Sequence, residues 1–296
     1  MAEAAPLATL GIPARANTQP WDAAAAGWNQ HTALIHDWLH NATQAMLDDV
    51  HIGLGARVLD IAAGAGDQTL DIARRVGSKG LVLATDISPG ILALAKKNAE
   101  LAGLTQISTQ VADAHSLGLA GTNFDAAVCR LGLMFCRSPL EALLQIRAAL
   151  RPQGRFSALV FGAPGNNPCL TITFATARRH AALGGAVVGQ VSSPFDPGSL
   201  MSLGKPGLLQ ELVQTAGFID VAIQVVPASF VARSAAHYVD FLRTSASPLI
   251  EVLAPLSDSE KQATWCDMTE QLRVFDVPGG WLGPNELLKC IAVSPT

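Results

Sequence analysis

Three carboxylates and a pair of glycines carry the chemistry that can be read first. Asp60 stands four residues before Gly64, and Gly64-Ala65-Gly66 follows a short apolar run, Val58-Leu59-Asp60-Ile61. Asp86 comes 20 residues after Gly66, and Asp113 ends Gln110-Val111-Ala112-Asp113. Small residues between a strand and a helix let a ligand approach the backbone, and the free N–H groups of the helix start serve as donors. An acid such as Asp60 is poorly placed beside a pyrophosphate and well placed for a cationic amino-acid group. A carboxylate at Asp86 can accept from two ribose hydroxyls. One at Asp113 can accept from the amino group of adenine. The ligand implied is a nucleoside joined to a cationic amino acid, which describes S-adenosylmethionine. A dinucleotide fingerprint asks for G-x-G-x-x-G, and here its third glycine is Thr69.

The elements that must position these groups follow from the pattern around them. Arg57–Ile61, Leu81–Thr85, Ile107–Val111, Phe124–Cys129 and Arg155–Phe161 read as strands, with Asp220–Val226 and Leu287–Val293 after them. Helices are expected between the strands. One starts near Asp67. A second is capped by Ser88 with Pro89 next, and a third by Ser138-Pro139-Leu140-Glu141 in the order of a capping box. Strands alternating with helices predict βαβ units and a parallel, doubly wound sheet. The acids and glycines then fall at strand carboxyl ends, where such sheets bind ligands.

Residues 21–50 read as one helix, with Trp28, Ile35, Leu39, Ala42 and Met46 on one face. Residues 169–184 and most of 234–274 also read as helical, and Gly184 to Gly204 reads as a lid. The expected organisation is a disordered tail over 1–20, a helical cap over 21–54, a ligand-binding core over 55–163, and a substrate lid with the remaining strands over 164–296.

VLDIAAGAGDQTL, ATDIS, VADAHSL, FDAAVCRLGLMF and AALRPQGRF together resemble the motifs of class I methyltransferases that use S-adenosylmethionine. The branch they resemble most is that of ubiquinone and menaquinone biosynthesis, over about residues 55–163. The resemblance implies a Rossmann-like fold with a mostly parallel seven-stranded sheet and helical or loop lid insertions. It implies that Gly64 and Gly66 admit the methionine moiety, with Ala62 in the same loop. Asp60 would orient that loop or meet the amino group through water. Asp86, with Ile87 beside it, would hold the ribose, and Asp113 with the Ala114 N–H the adenine. The resemblance puts Arg130, just past the fourth strand, near the cofactor; beside Asp60 and the glycine loop, an Arg there could bind the methionine carboxylate bidentately. Two residues depart from the family pattern: Ala62 replaces a loop glycine, and Gln153 replaces a glycine of the usual L-x-P-G-G turn.

Methyl transfer from a sulfonium has a good neutral leaving group, so positioning can supply much of the catalysis. A base is needed only where the acceptor is not already ionised. His180, before the lid, and His31, on the N-terminal helix, are the candidate bases. Trp28 is placed to wall a pocket, and Met134 to touch substrate. His36 and His40 lie one turn apart and could share a metal ion, but no third ligand is apparent, so no metal is expected.

Composition narrows the class further. The chain has 296 residues, 49% apolar and 15% charged, with 20 basic against 24 acidic side chains. That balance lacks the basic field that nucleic acid needs. No apolar run approaches the ~18 residues of a membrane span. The N-terminus has no signal-peptide pattern, and five cysteines match no zinc or disulfide spacing. The reading is a cytoplasmic enzyme, compatible with a homo-oligomer. It would methylate a small, rather apolar organic acceptor on oxygen, with carbon the next choice and sulfur or nitrogen also open, releasing S-adenosylhomocysteine. The alternatives are a protein or non-methylating enzyme that binds the same cofactor and, further off, an NAD(P)-dependent oxidoreductase.

Overall fold

The computed structural model describes residues 19–185 and 193–296. Ten strands run in chain order: β1 (Arg57–Ile61), β2 (Leu81–Asp86), β3 (Ile107–Val111), β4 (Phe124–Arg130), β5 (Leu150–Phe161), β6 (Ile219–Pro227), β7 (Phe230–Ala232), β8 (Asp276–Val277), β9 (Gly280–Gly283) and β10 (Glu286–Val293). Ten α-helices accompany them: α1 (Gln19–Gln30), α2 (Thr32–Asp49), α3 (Asp67–Val76), α4 (Pro89–Leu101), α5 (Pro139–Ala149), α6 (Pro168–Leu183), α7 (Leu208–Thr215), α8 (Ala235–Ser245), α9 (Ser247–Leu253) and α10 (Asp258–Leu272).

Seven strands form the main sheet in the order β3-β2-β1-β4-β5-β10-β6. The first five are parallel, and β10 runs antiparallel between β5 and β6. The expected seven-stranded, mostly parallel sheet is what forms. β1 and β4 are fully paired neighbours but not consecutive in the chain, so the winding reverses between them. This switch point opens the crevice in which such sheets bind ligands. Val58, Leu59, Val82, Ala126, Ala127 and Val128 are buried beneath helices on both faces.

Several elements differ from the sequence reading for identifiable reasons. The N-terminal helix is two helices, broken at His31. The apolar spacing runs through the break, so periodicity could not register it. α1 swings away to bridge α4 and the helices α8 and α9. Asp22 on α1 accepts from the Ser88 hydroxyl and the Gly90 N–H at the start of α4, and Asn29 accepts from Asn98 at 3.0 Å. Gly27 lies so close to α8 that a Cβ there would stand 2.0 Å from the Thr244 carbonyl oxygen.

β5 begins at Leu150, five residues early, because the segment turns through Gln153 and continues into the strand. At 138–141 only half of the expected capping box forms: the Ser138 hydroxyl accepts from the Glu141 N–H. A reciprocal box is found instead at Ser257 and Glu260. Residues 234–274 divide into α8, α9 and α10. A small sheet, β7-β9-β8, was not legible, because strands of two to four residues are too short to show alternation. It is anchored by Trp281, which is buried and stacks on Tyr238 at 4.5 Å between ring centroids.

The approach of α1 to α8 gives a direct test of the bridge. Gly27→Ala forces a methyl into a backbone carbonyl, and overpacking of this kind costs roughly 1–3 kcal/mol. Urea denaturation should show a loss of that size. Unchanged stability would mean that α1 does not sit against α8.

Candidate functional site

The site begins with a buried carboxyl. Asp60, at the end of β1, is fully buried and accepts hydrogen bonds from the Gln68 amide and, at 2.6 Å, from the Thr69 hydroxyl. Both partners lie in the first turn of α3, so this one side chain ties strand to helix. It does not reach the cavity described below. Of its two expected roles, the contacts match orientation of the loop. Burial pushes its pKa up to about 7, against the pull of Thr69, Gln68 and Arg130 in the opposite direction.

Between these anchors the chain turns tightly. Ala62, Gly64 and Gly66 all have positive φ, at 55°, 58° and 90°. For Ala62 the left-handed conformation costs roughly 1–2 kcal/mol. Its methyl fits because residue 132 is glycine: a Cβ there would come within 2.3 Å of the Ala62 Cβ. Gln153, the second departure from the family pattern, also has positive φ, at 58°. Both substitutions therefore keep the backbone shape that glycine would supply. Gly66 cannot take a side chain, since a Cβ would press on Ala95 of α4 at 3.1 Å. At Gly64 a Cβ would meet only Ile91 Cδ1, at 4.0 Å, so it would project into open space.

That space is a cavity of about 680 Å³ along the strand carboxyl ends. Its inner part is lined by the loop after β1, by Asp86 at the end of β2 with Ile87 beyond it, by Asp113 and Ala114 after β3, and by Arg130 at the end of β4. Asp86 accepts from the N–H groups of Gly64 and Ser88, each at 3.0 Å. Burial raises its pKa, and these N–H donors oppose the rise. Asp113 accepts from the N–H and Nδ1 of His115 at 2.9 and 2.6 Å, while His115 Nε2 accepts from the Ser138 N–H at 3.2 Å. The second contact makes Nε2 an acceptor, which places the imidazole proton on Nδ1.

Arg130 lies 2.8 Å from Asp67 Oδ2 and donates to the Thr43 hydroxyl at 2.9 Å. It lies close enough to Asp60 to act on that carboxyl, and the guanidinium expected to clamp a methionine carboxylate is already ion-paired with Asp67. The outer part of the cavity is walled by Trp21, Trp28 and Phe135, with Ser247 and Glu251 from α9. Trp21 and Phe135 meet edge to face at 4.8 Å.

Three lining side chains carry a buried polar atom without a partner among the described residues: the Trp28 indole N–H, Gln68 Oε1 and Ser247 Oγ. Buried polar atoms are costly when unpaired. These supply one donor, one acceptor and one hydroxyl to whatever occupies the cavity.

Several expected residues lie elsewhere. His180 is held by Asp267 on α10 at 2.7 Å and does not line the cavity. His31 sits at the α1–α2 break against Thr244, at 3.1 Å, and Phe241, also off the cavity. Both were drawn to partners distant in sequence. Met134 is buried beneath the site, and its carbonyl accepts from Ser202. Of the expected lid, residues 186–192 lie outside the described residues, and Pro197 and Gly198 touch the cavity. Gln68, Asp67, Ser247 and Glu251 were not singled out. Gln68 was readable as the amide following Gly66-Asp67, whereas α9 offered only the helix start at Pro248.

Comparison with known proteins fits this geometry. Residues 58–154 match the model of the methyltransferase domain family. No curated protein matches the chain by sequence. Among solved structures, the YcgJ protein of Bacillus subtilis is 17% identical with a TM-score of 0.56, covering 87% of this chain and 99% of its own. The [4+2]-cyclase SpnF is also 17% identical at 0.56, covering 93% and 97%. Phosphoethanolamine N-methyltransferase 2 of Haemonchus contortus, in complex with phosphomonomethylethanolamine and S-adenosylhomocysteine, is 16% identical at 0.54, covering 90% and 58%.

The raised pKa of Asp60 predicts a pH dependence. An unfolded Asp titrates near 3.9. Between about pH 4 and 7 the native state therefore keeps a proton that the unfolded chain has released, and stability falls as pH rises through that window. Asp60→Asn stays neutral throughout. The difference in urea midpoint between wild type and variant should change from pH 4.5 to 7 and level off above it; parallel curves would contradict a raised Asp60. Residues 58–154 match the methyltransferase domain family, and the chain has the Rossmann-like fold of class I methyltransferases.

Proposed function

We propose that this protein transfers a methyl group from S-adenosylmethionine to a small, largely apolar organic acceptor, at an oxygen atom, with a carbon atom as the alternative. The observation that carries the reading is the row of strand-end groups along one cavity. Asp113 and the Ala114 N–H suit adenine, Asp86 suits a ribose diol, and the unpaired Gln68 Oε1 suits an ammonium group. Gly64 leaves room for close approach to the backbone. The volume lies within the range usual for small-molecule sites. When bound, the cofactor supplies a methyl group on a positively charged sulfur.

The chain's own part is positioning and the handling of one proton. Trp21, Trp28 and Phe135 would exclude water and pack an apolar acceptor. The Trp28 N–H and the Ser247 hydroxyl would fix a polar atom on it. Glu251 lines the cavity, which His180 and His31 do not, and it is the base we assign to the acceptor. Desolvation raises its pKa, which suits a carboxylate to take a hydroxyl proton. The resemblance to the quinone-biosynthesis branch is a second support for a small organic acceptor. A cofactor-binding protein that catalyses a different reaction is the alternative, supported by the equal likeness to SpnF, whose name is that of a cyclase.

Ligand binding to the native state raises the melting temperature. S-adenosylmethionine or S-adenosylhomocysteine should do so and NAD should not; the reverse pattern would end this reading. Asp86→Ala removes charged hydrogen bonds worth roughly 1.5–3 kcal/mol. Calorimetry should show affinity for S-adenosylhomocysteine falling about ten- to a hundred-fold, and an unchanged value would place the ribose elsewhere. Once an acceptor is found, Glu251→Gln should cut formation of S-adenosylhomocysteine while its binding persists. Binding of the cofactor with no such formation across hydroxylated and carbon acceptors would favour the alternative.

A further inference from the structure

On the outer face of the N-terminal segment, the structure supplies what the sequence lacked beside His36 and His40. The two imidazoles lie one turn apart on α2, with ring centroids 5.1 Å apart. α3 packs alongside and brings Asp71 to them. Each of the three residues offers one donor atom, and these atoms lie within 4.8 Å of one another. The set is nitrogen, nitrogen and carboxylate oxygen, drawn from two helices whose backbones are already fixed.

A second observation points the same way. His36 Nδ1 lies 2.9 Å from Asp67 Oδ1. A histidine whose Nδ1–H donates to a carboxylate presents its lone pair at Nε2, and metal-bound histidines almost always have such an outer partner. Asp71 is engaged by Gln44 at 3.2 Å and by Arg74 at 2.9 Å. Arg74 is 58% exposed and its charge returns to solvent on release, while Asp71, only 14% exposed, would exchange that partner for the cation.

We propose that His36, His40 and Asp71 form a binding site for a divalent first-row transition cation of the zinc class, with Asp67 as the outer carboxylate of His36. Two imidazoles and a carboxylate suit such ions, whereas magnesium and calcium ask for oxygen ligands alone. Three protein ligands leave a fourth tetrahedral place for water. Asp67 also pairs with Arg130, at 2.8 Å, so the site stands one residue from the wall of the cavity. The proposal does not depend on which reaction that cavity serves.

The test is calorimetric titration of ZnCl2 into the untagged, chelator-treated full chain, with MgCl2 as competitor. One ion per chain should bind, and magnesium should not displace it. His40→Ala and Asp71→Asn should each weaken binding at least about tenfold. His40 is exposed, so its variant should keep the wild-type melting temperature without metal. Cys266, the exposed thiol, is the competing soft ligand, and Cys266→Ser should leave the titration unchanged. Absence of zinc binding, binding indifferent to both His40→Ala and Asp71→Asn, or binding lost in Cys266→Ser would each overturn the site.

Discussion

The tie between Asp60 and the first turn of α3 is the contact on which the site depends. A carboxyl with no solvent exposure is expensive unless its oxygens are satisfied, and here Gln68 and Thr69 satisfy both. The consequence is geometric. With β1 and α3 joined at that point, the chain between them must turn through three residues of positive φ. That turn bares the Gly64 backbone to the cavity and directs its N–H to Asp86. The same contact positions Gln68 among the lining residues with its Oε1 unpaired. It also explains why Thr69 replaces the third glycine of a dinucleotide fingerprint: its hydroxyl is needed by Asp60.

The second constraint is the cover. α1 is pinned by Asp22 at the start of α4, by Asn29 on Asn98, by the buried Ala24 and Ala25, and by the close approach of Gly27 to α8. Holding α1 there sets Trp21 and Trp28 over the crevice and brings α9 to its rim. The inner half of the cavity is thus built by the sheet, and the outer half by helices from the two ends of the chain. The inner half carries the charged strand-end groups, and the outer half is mainly aromatic.

This division also sets what could be read from sequence. The positions of Asp86, Asp113 and Gly64 on the cavity wall follow from local order, since each lies at or within three residues of a strand end, whereas Gly66 packs against α4 instead. Arg130 falls on the cavity wall at its strand end, but its ion pair with Asp67 depends on the rotation of α3, which strand-end position does not encode. Ser247 and Glu251 reach the site through tertiary packing, from more than 200 residues beyond Trp28. The same packing removed His180, because α6 lies against α10 and Asp267 offers a charged partner. Asp71 meets His36 and His40 through the pairing of α2 with α3, which no spacing along one helix reveals.

The inner half of the cavity has the shape and polar groups for a nucleoside joined to an amino acid, and a crystal structure with S-adenosylhomocysteine tests this most directly. Adenine should lie against Asp113 and Ala114, the ribose hydroxyls on Asp86, and the amino group on Gln68 Oε1. Density for the ligand outside the strand ends, or with its ribose away from Asp86, would contradict it.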